Sequence, residues 1–290
     1  MISRPVLAMF AATAALTIHT SSSQAQVLPT PIELVSGLDL ECFKTPGPAI
    51  NQNINLTHLN PVLVGLGLPA HQVVLRELQQ TCVPVRKNNS GPSAAALPFI
   101  RYIDFACYRV DAQPLPNPVP LGLTHLNPVL ANLPQHGVRL TRPAQLCVPI
   151  AKNNQMPPDN ILQFARYVDL ECWDTIPDQH PAFTLTLHQL NPLLANIPAH
   201  QLALGSPQRQ LCVPVRKNNQ AIPAAVLSTL RWIDLEKFTA APAAVIAPVN
   251  LMLRHLNPLF VNLPQVPVVL KDATHLMVPV AKNGNLPPAD

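Results

Sequence analysis

An all-β chain of four tandem repeats of about 65 residues is what this sequence predicts, each repeat a small barrel or sandwich with one short helical turn. Three observations carry that expectation: strings that recur every 65 residues, alternation of apolar and polar residues within them, and cysteines in register with the period. Composition sets the outer limits. With 35 Pro against 9 Gly the chain is not collagen-like, and with 48% hydrophobic residues it is not a disordered one. A formal charge of +4 is too small to mark a nucleic-acid surface, so no nucleic-acid partner is expected.

The first element is an export signal. Arg4 precedes an apolar run over residues 6–18, broken only by Thr13 and Thr17, and Ser23-Gln24-Ala25 has the small-x-small form of a cleavage site. Residues 1–25 are therefore expected to be a signal peptide, removed after Ala25. The run is too short to span a bilayer comfortably, and no later stretch escapes proline or charge for long enough, so no transmembrane segment is expected. The mature chain is expected to be periplasmic or extracellular.

The repeats follow. Leu38-Asp39-Leu40-Glu41-Cys42-Phe43 has copies that begin at Ile103, Val168 and Ile233. Cys82-Val83-Pro84-Val85-Arg86-Lys87-Asn88 has copies that begin at Cys147, Cys212 and Met277. Between them Asn-Pro falls at Asn60, Asn127, Asn191 and Asn257. The units span 32–89, 99–154, 164–219 and 229–284, which leaves no room for a separate catalytic domain.

Each element has a local reason. In the opening string Ile103, Phe105 and Cys107 share one face and Asp104 and Tyr108 the other, the pattern of a half-buried strand. Asn127 can cap, Pro128 suits a first helical position and Pro134 stops the turn, which predicts a single helical turn. Residues 73–75, 138–140, 202–204 and 268–270 read as a further strand. The closing string is β-branched yet contains Pro84, Pro149, Pro214 or Pro279, which places it at a sheet edge or at a bulge, because proline lacks the ladder donor. Asn88-Asn89 and its copies end it in a turn. Segments 90–97 and 220–227 read as linkers.

Six cysteines allow 15 pairings, and the fourth unit narrows them. Its two equivalent positions hold Lys237 and Met277, so both cysteines are missing together. Pairing within units (Cys42–Cys82, Cys107–Cys147, Cys172–Cys212) explains that joint absence, whereas pairing across linkers strands Cys42 and Cys212. The first and last strands of a unit must then be neighbours, since a disulfide needs Cα atoms within about 7 Å. A crosslink over this span adds about 4 kcal/mol on the chain-entropy model, and unit four, which lacks one, is expected to be the least stable or to lean on its neighbour.

Candidate sites are weighed against plainer uses. His58, His125 and His255 precede Leu-Asn-Pro, with His188 displaced by one residue; His71, His136 and His200 follow the turn, where unit four has Val266. Two histidines per unit can hold a metal, and His58, His71, His125 and His136 are the candidates. Capping of carbonyls is favoured because no third ligand recurs with them, so no metal or cofactor is expected. Asp39/Glu41, Asp169/Glu171 and Asp234/Glu236 lie two apart on one strand face, with Ala106 in place of the glutamate in unit two. Surface ion pairing, with Arg86-Lys87 and Arg216-Lys217 as partners, is favoured over acid–base chemistry or calcium binding. Phe43, Tyr108, Trp173 and Phe238 recur at one position and can stack on sugar rings, although packing is the commoner use. No Gly-x-Ser-x-Gly, His-Glu-x-x-His or phosphate loop is present. Features that recur four times in register point to the fold or to a repeated binding surface rather than to an enzyme.

With the string from Ile103 to Arg109 and the string from Gln145 to Asn153 in view, the units resemble an uncharacterised domain of exported bacterial proteins. Its pattern is an aromatic-x-x-Cys-Tyr-Lys strand followed by a Leu-Cys-x-Pro-x-x-Lys strand. The resemblance covers the ends of every unit and departs in the middle, where that family more often has a polar Gln-Phe turn than His-Leu-Asn-Pro; unit four lacks the cysteines. The resemblance implies secretion and the disulfide, and no activity. The functional expectation is an exported, non-enzymatic binding or structural module with a protein or glycan partner at the cell surface. A carbohydrate-binding module using the recurring aromatics and a secreted hydrolase using Asp/Glu or His are its rivals.

Overall fold

A computed structural model describes residues 28–290, apart from the side chains of Ser206 and Pro207; the expected signal peptide lies outside the described residues. Each repeat opens with a short helix: α1 (Pro31–Ser36), α3 (Leu97–Ile100), α4 (Asp159–Ala165) or α5 (Ala224–Leu230). None of the four was expected, and α3 and α5 begin in the segments 90–97 and 220–227 that read as linkers. Their sequence signals are weak: prolines supply the N-caps of α4 and α5, and neither makes a side-chain capping bond. At α1, Thr30 and Glu33 form a capping box ahead of Pro31.

Two strands and a turn follow each helix. They are β1 (Asp39–Lys44) and β2 (Ala49–His58), β4 (Asp104–Asp111) and β5 (Val119–His125), and β7 (Leu170–Pro177) and β8 (Phe183–Gln189). In the fourth repeat the two are fused as β10 (Leu235–His255). The Asn-Pro turn is a short helix in unit one, α2 (Pro61–Gly65), and a single 3-10 turn in units two and three. In all four units the Asn side chain accepts the backbone N–H two residues on, as at Asn60 with Val62 and Asn257 with Leu259, at 2.9–3.0 Å. One long strand closes each repeat: β3 (His71–Lys87), β6 (His136–Lys152), β9 (His200–Lys217) and β11 (Val266–Lys282). The two strands read separately from the sequence are thus one continuous strand. It ends, as expected, in asparagines at positive φ, from Asn88 (51°) to Asn283 (50°).

The all-β class and the disulfide pairing Cys42–Cys82, Cys107–Cys147 and Cys172–Cys212 hold. Closure of the sheet happens once, at the level of the whole chain. The opening and closing strands of a unit pair side by side, and each pair is joined to the next, in the antiparallel ring β1–β3–β4–β6–β7–β9–β10–β11 and back to β1. Two strands cannot enclose an interior, whereas four such ribbons can. Within a unit the cysteine positions are directly opposite, as at Cys42 and Cys82. At each junction the register slips by two residues, since Cys107 faces Gln80, Cys172 faces Gln145, Lys237 faces Gln210 and Cys42 faces His275. Four such slips give a barrel of eight strands and shear about eight, in which interior side chains stack in layers of four drawn from alternate strands.

The direction of Lys237 identifies the interior. Its Nζ donates to Oε1 of both Gln80 and Gln145. Those residues lie on β3 and β6, each three strands from β10 in opposite directions round the ring, so the contacts cross the lumen. Cys42, Cys82 and their equivalents share that inner face. Above them, toward the helices, lie Leu40, Phe105, Leu170 and Leu235, which pack with Leu34, Ile100, Phe164 and Leu230 of the four helices in one cluster that closes this end.

The closing strands are central rather than at an edge, contrary to the proline reading. Pro84 pairs with Leu40 on one side. On its other side β4 pairs only as far as Cys82 and β8 takes over at Val85, so the missing N–H faces a seam between two partners. The opening strand is buried on both faces instead of one, because the β2-type strands fold over the outside of the barrel. Each hairpin crosses to the unit two places along: β2 joins β9, β8 joins β3, β5 joins β11, and β10 joins β6.

Candidate binding mouth and histidine pockets

The end of the barrel away from the helices is polar. Beneath the sulfur layers, the four long strands contribute Gln80, Gln145, Gln210 and His275 to one inner layer, and the opening strands contribute Lys44, Arg109, Asp174 and Thr239 to the next. These residues bond to one another and to Gln79 beside them. Gln80 Nε2 lies 2.7 Å from His275 Nδ1, Gln210 Nε2 donates to Asp174 at 3.0 Å, and Gln145 Nε2 donates to Gln79 at 2.5 Å. A cavity of 460 Å³ lined by Lys44, Glu77, Gln80, Lys237, Thr274 and His275 among others opens here, and two smaller ones of 360 and 370 Å³ adjoin it over Arg109, Arg142 and Asp174.

Lys237 forms the floor of this mouth. It stands where the other three repeats have Cys42, Cys107 and Cys172, and it is 1% exposed. Its partners are neutral carbonyl oxygens, and desolvation lowers its pKa to about 7, with the charge of Asp174 opposing. The same burial, with Lys237 alongside, lowers His275 to about 3. The carboxylates at the rim are each held by an arginine: Glu77 by Arg109 at 2.6 Å, Asp111 by Arg76 at 2.5 Å and Asp174 by Arg142 at 2.8 Å. Those bonds hold the Glu77 and Asp111 carboxyls below the usual range.

Where sequence reasoning expected surface ion pairs on the opening strand, the structure buries them. Asp39, Asp104, Asp169 and Asp234 are 2–3% exposed and pair with Lys87, Lys152, Lys217 and Lys282 of their own units. Each also accepts from the turn asparagine of the following unit, the series Asn127, Asn191, Asn257 and Asn60 closing the circle from unit one back to unit four. Burial is the largest influence on both partners and moves each toward its neutral form, raising Asp169 to about 6.

The remaining candidates converge in four equivalent pockets on the outer face, each roofed by a hairpin from two units away. In the first, His58 and His71 meet Glu171 and Trp173, with His71 Nε2 2.7 Å from Glu171. In the second, His125 and His136 meet Glu236 and Phe238, with His136 Nε2 3.0 Å from both carboxylate oxygens. In the third, His200 and Gln189 both bond Glu41, each at 2.6 Å, next to the position of Phe43. In the fourth, His255 bonds the Tyr108 hydroxyl at 3.1 Å, and Val266 and Ala106 occupy the other two positions within one apolar cluster. The third ligand judged missing from sequence is therefore the glutamate of the unit two places along. Its only sequence trace is that Val266 and Ala106, the two exceptions, fall in the same pocket.

The four aromatics proposed to stack on sugars are buried: Phe43, Tyr108, Trp173 and Phe238 are 0–2% exposed. The hairpins that cover them leave no ring face for a ligand. Among the described residues, no helix is long and apolar enough to cross a membrane. No protein-family model matches the chain, and neither a curated protein nor a solved structure matches it.

Proposed function

We propose that this is an exported, non-enzymatic binding module whose ligand seat is the polar mouth of the barrel. Export is supported by the charged, apolar and small-residue order of residues 1–25 and by three buried disulfides, which persist in an oxidising compartment. The observation that carries the seat is Lys237: a buried amine, at an inner position where the other three units have cysteine, beneath a layer of amide donors and acceptors. Burying a cation with only neutral partners is costly, and an anion above it offsets that cost. The ligand class is accordingly small, rich in hydrogen-bonding groups and negatively charged, such as a sugar acid. The rim carboxylates are occupied by arginines, which favours binding over acid–base catalysis.

The test is calorimetric titration of the mature protein with glucuronate, phosphate and glucose, repeated with Lys237→Met. Glucuronate or phosphate binding to the wild type, and at least about tenfold weaker binding to Lys237→Met, is the expected result. Binding of glucose alone, no binding at all, or affinities untouched by the substitution would overturn the proposal.

A further inference from the structure

The second of the four outer pockets differs from its equivalents by one residue that does not belong to the repeat. His180, from the segment between β7 and β8, enters beside His125 and His136, and one ligand atom from each of the three rings lies within 4.8 Å of the others. His125 Nε2 and His180 Nε2 are 3.3 Å apart. That is the edge of a tetrahedron around an ion with metal–nitrogen bonds of about 2.0–2.1 Å, for which simple geometry gives about 3.3–3.4 Å.

The proton position of His180 points the same way. His180 Nδ1 lies 2.9 Å from the Pro181 carbonyl oxygen, which can only accept, so Nδ1 carries the hydrogen and Nε2 carries a lone pair. His136 Nδ1 faces the Pro134 carbonyl oxygen at 3.4 Å, and its Nε2 donates to the Glu236 carboxylate, which can only accept, so an ion bound here takes the place of that hydrogen. Such outward bonds to backbone carbonyls are how metal-ligating histidines are oriented. His125 Nδ1 is buried and makes no hydrogen bond among the described residues. Glu236 Oε1 accepts from Arg209 at 3.0 Å, which fixes the carboxylate and leaves Oε2 facing His136.

We propose that His125, His136 and His180 bind one divalent transition-metal ion of the zinc class, with the Glu236 carboxylate alongside His136. Three imidazoles select zinc, cobalt, nickel or copper over calcium and magnesium, which prefer oxygen. The ion joins the hairpin of unit two to the β7–β8 segment of unit three, so it clamps two repeats. His180 is half-buried and near the surface, which gives the ion a way in. The first pocket supplies an internal comparison: there the third member of the group is Glu171, beside His58 and His71, in place of a third imidazole. Glu236 and Phe238 point away from the lumen that Lys237 enters, so this site and the mouth stand independently.

The experiment is titration of the chelator-treated mature protein with Co2+, followed by its visible absorption, and with Zn2+ by calorimetry. One ion per chain with the absorption of tetrahedral Co2+ is expected. His180→Ala, a substitution near the surface, should weaken Zn2+ at least about tenfold and abolish any rise in melting temperature on adding Zn2+. His71→Ala, in the first pocket, should leave the affinity unchanged. No Zn2+ binding by the wild type, or equal affinity in His180→Ala, would overturn the assignment, and loss in His71→Ala alone would place the ion in the first pocket instead.

Discussion

Three repeats put a pair of sulfurs into the barrel lumen; the fourth puts Lys237 and Met277 in the same place. The contrast separates two tasks that a repeated sequence performs at once. Positions identical in all four units, such as Asp39, Lys87, Asn60 and their copies, build the circle: each lysine neutralises its own unit's aspartate, and each asparagine ties a turn to the preceding unit. Positions where one unit departs break the symmetry, and only a broken symmetry gives a barrel a direction from which a single ligand is recognised. Unit four, without a staple, pairs with both neighbours, β10 with β9 and β11 with β1, as each of the other units does.

The largest expected effect tests the stapled half of that contrast. Replacing Cys107 and Cys147 by alanine should cost about 4 kcal/mol in urea unfolding, the chain-entropy figure for a loop of this length. Because the strands of every unit pair with those of the next, the loss should appear as one transition shifted as a whole. Two separated transitions would mean that the units melt as independent bodies.

A smaller effect tests the unstapled half. The folded-state pKa of Lys237 lies at about 7, below its unfolded value, so the unfolded chain binds this proton more tightly across the interval between the two. Its destabilising contribution is full below pH 7 and shrinks as the pH rises toward the unfolded value. The wild type should therefore gain on Lys237→Met by about 1.4 kcal/mol per pH unit from pH 7 to 9. Urea titrations of both proteins at pH 7, 8 and 9 measure this, and parallel pH dependences would show that the amine is not buried without a counter-charge.

Much of the local structure is legible in the sequence, and the connectivity between units is not. The period gives the strands, Asn60 and its copies announce their turns, and the joint loss of two cysteines in unit four reveals the pairing in the other three. That His71 meets Glu171 rather than Glu41 is hidden, because every unit carries nearly the same residues and hydrophobic alternation is blind to which copy a strand packs on. The short helices are hidden for a different reason: α3, α4 and α5 lack side-chain caps and take their order from the apolar end of the barrel. Burial of Asp39 and Glu41 is likewise set by a hairpin from elsewhere in the chain, which no local pattern contains.

The exceptions in the outer pockets carry the one readable trace of that long-range pairing, and they yield the smallest prediction. Unit two lacks the glutamate and unit four lacks the histidine, and the barrel brings Ala106 and Val266 to the equivalent pocket. If the units are joined two apart, the losses are two halves of one event, just as Lys237 and Met277 are. Val266→His alone places an imidazole against an apolar cluster, and Ala106→Glu alone buries a carboxylate without a cation. Together they restore the pair found at His71–Glu171 and His200–Glu41, so the double variant should be more stable than the sum of the singles by about 1 kcal/mol. The coupling is read from a double-mutant cycle in urea. Strict additivity would mean that the two positions do not face one another, and the crossing of hairpins between units two and four would fall with it.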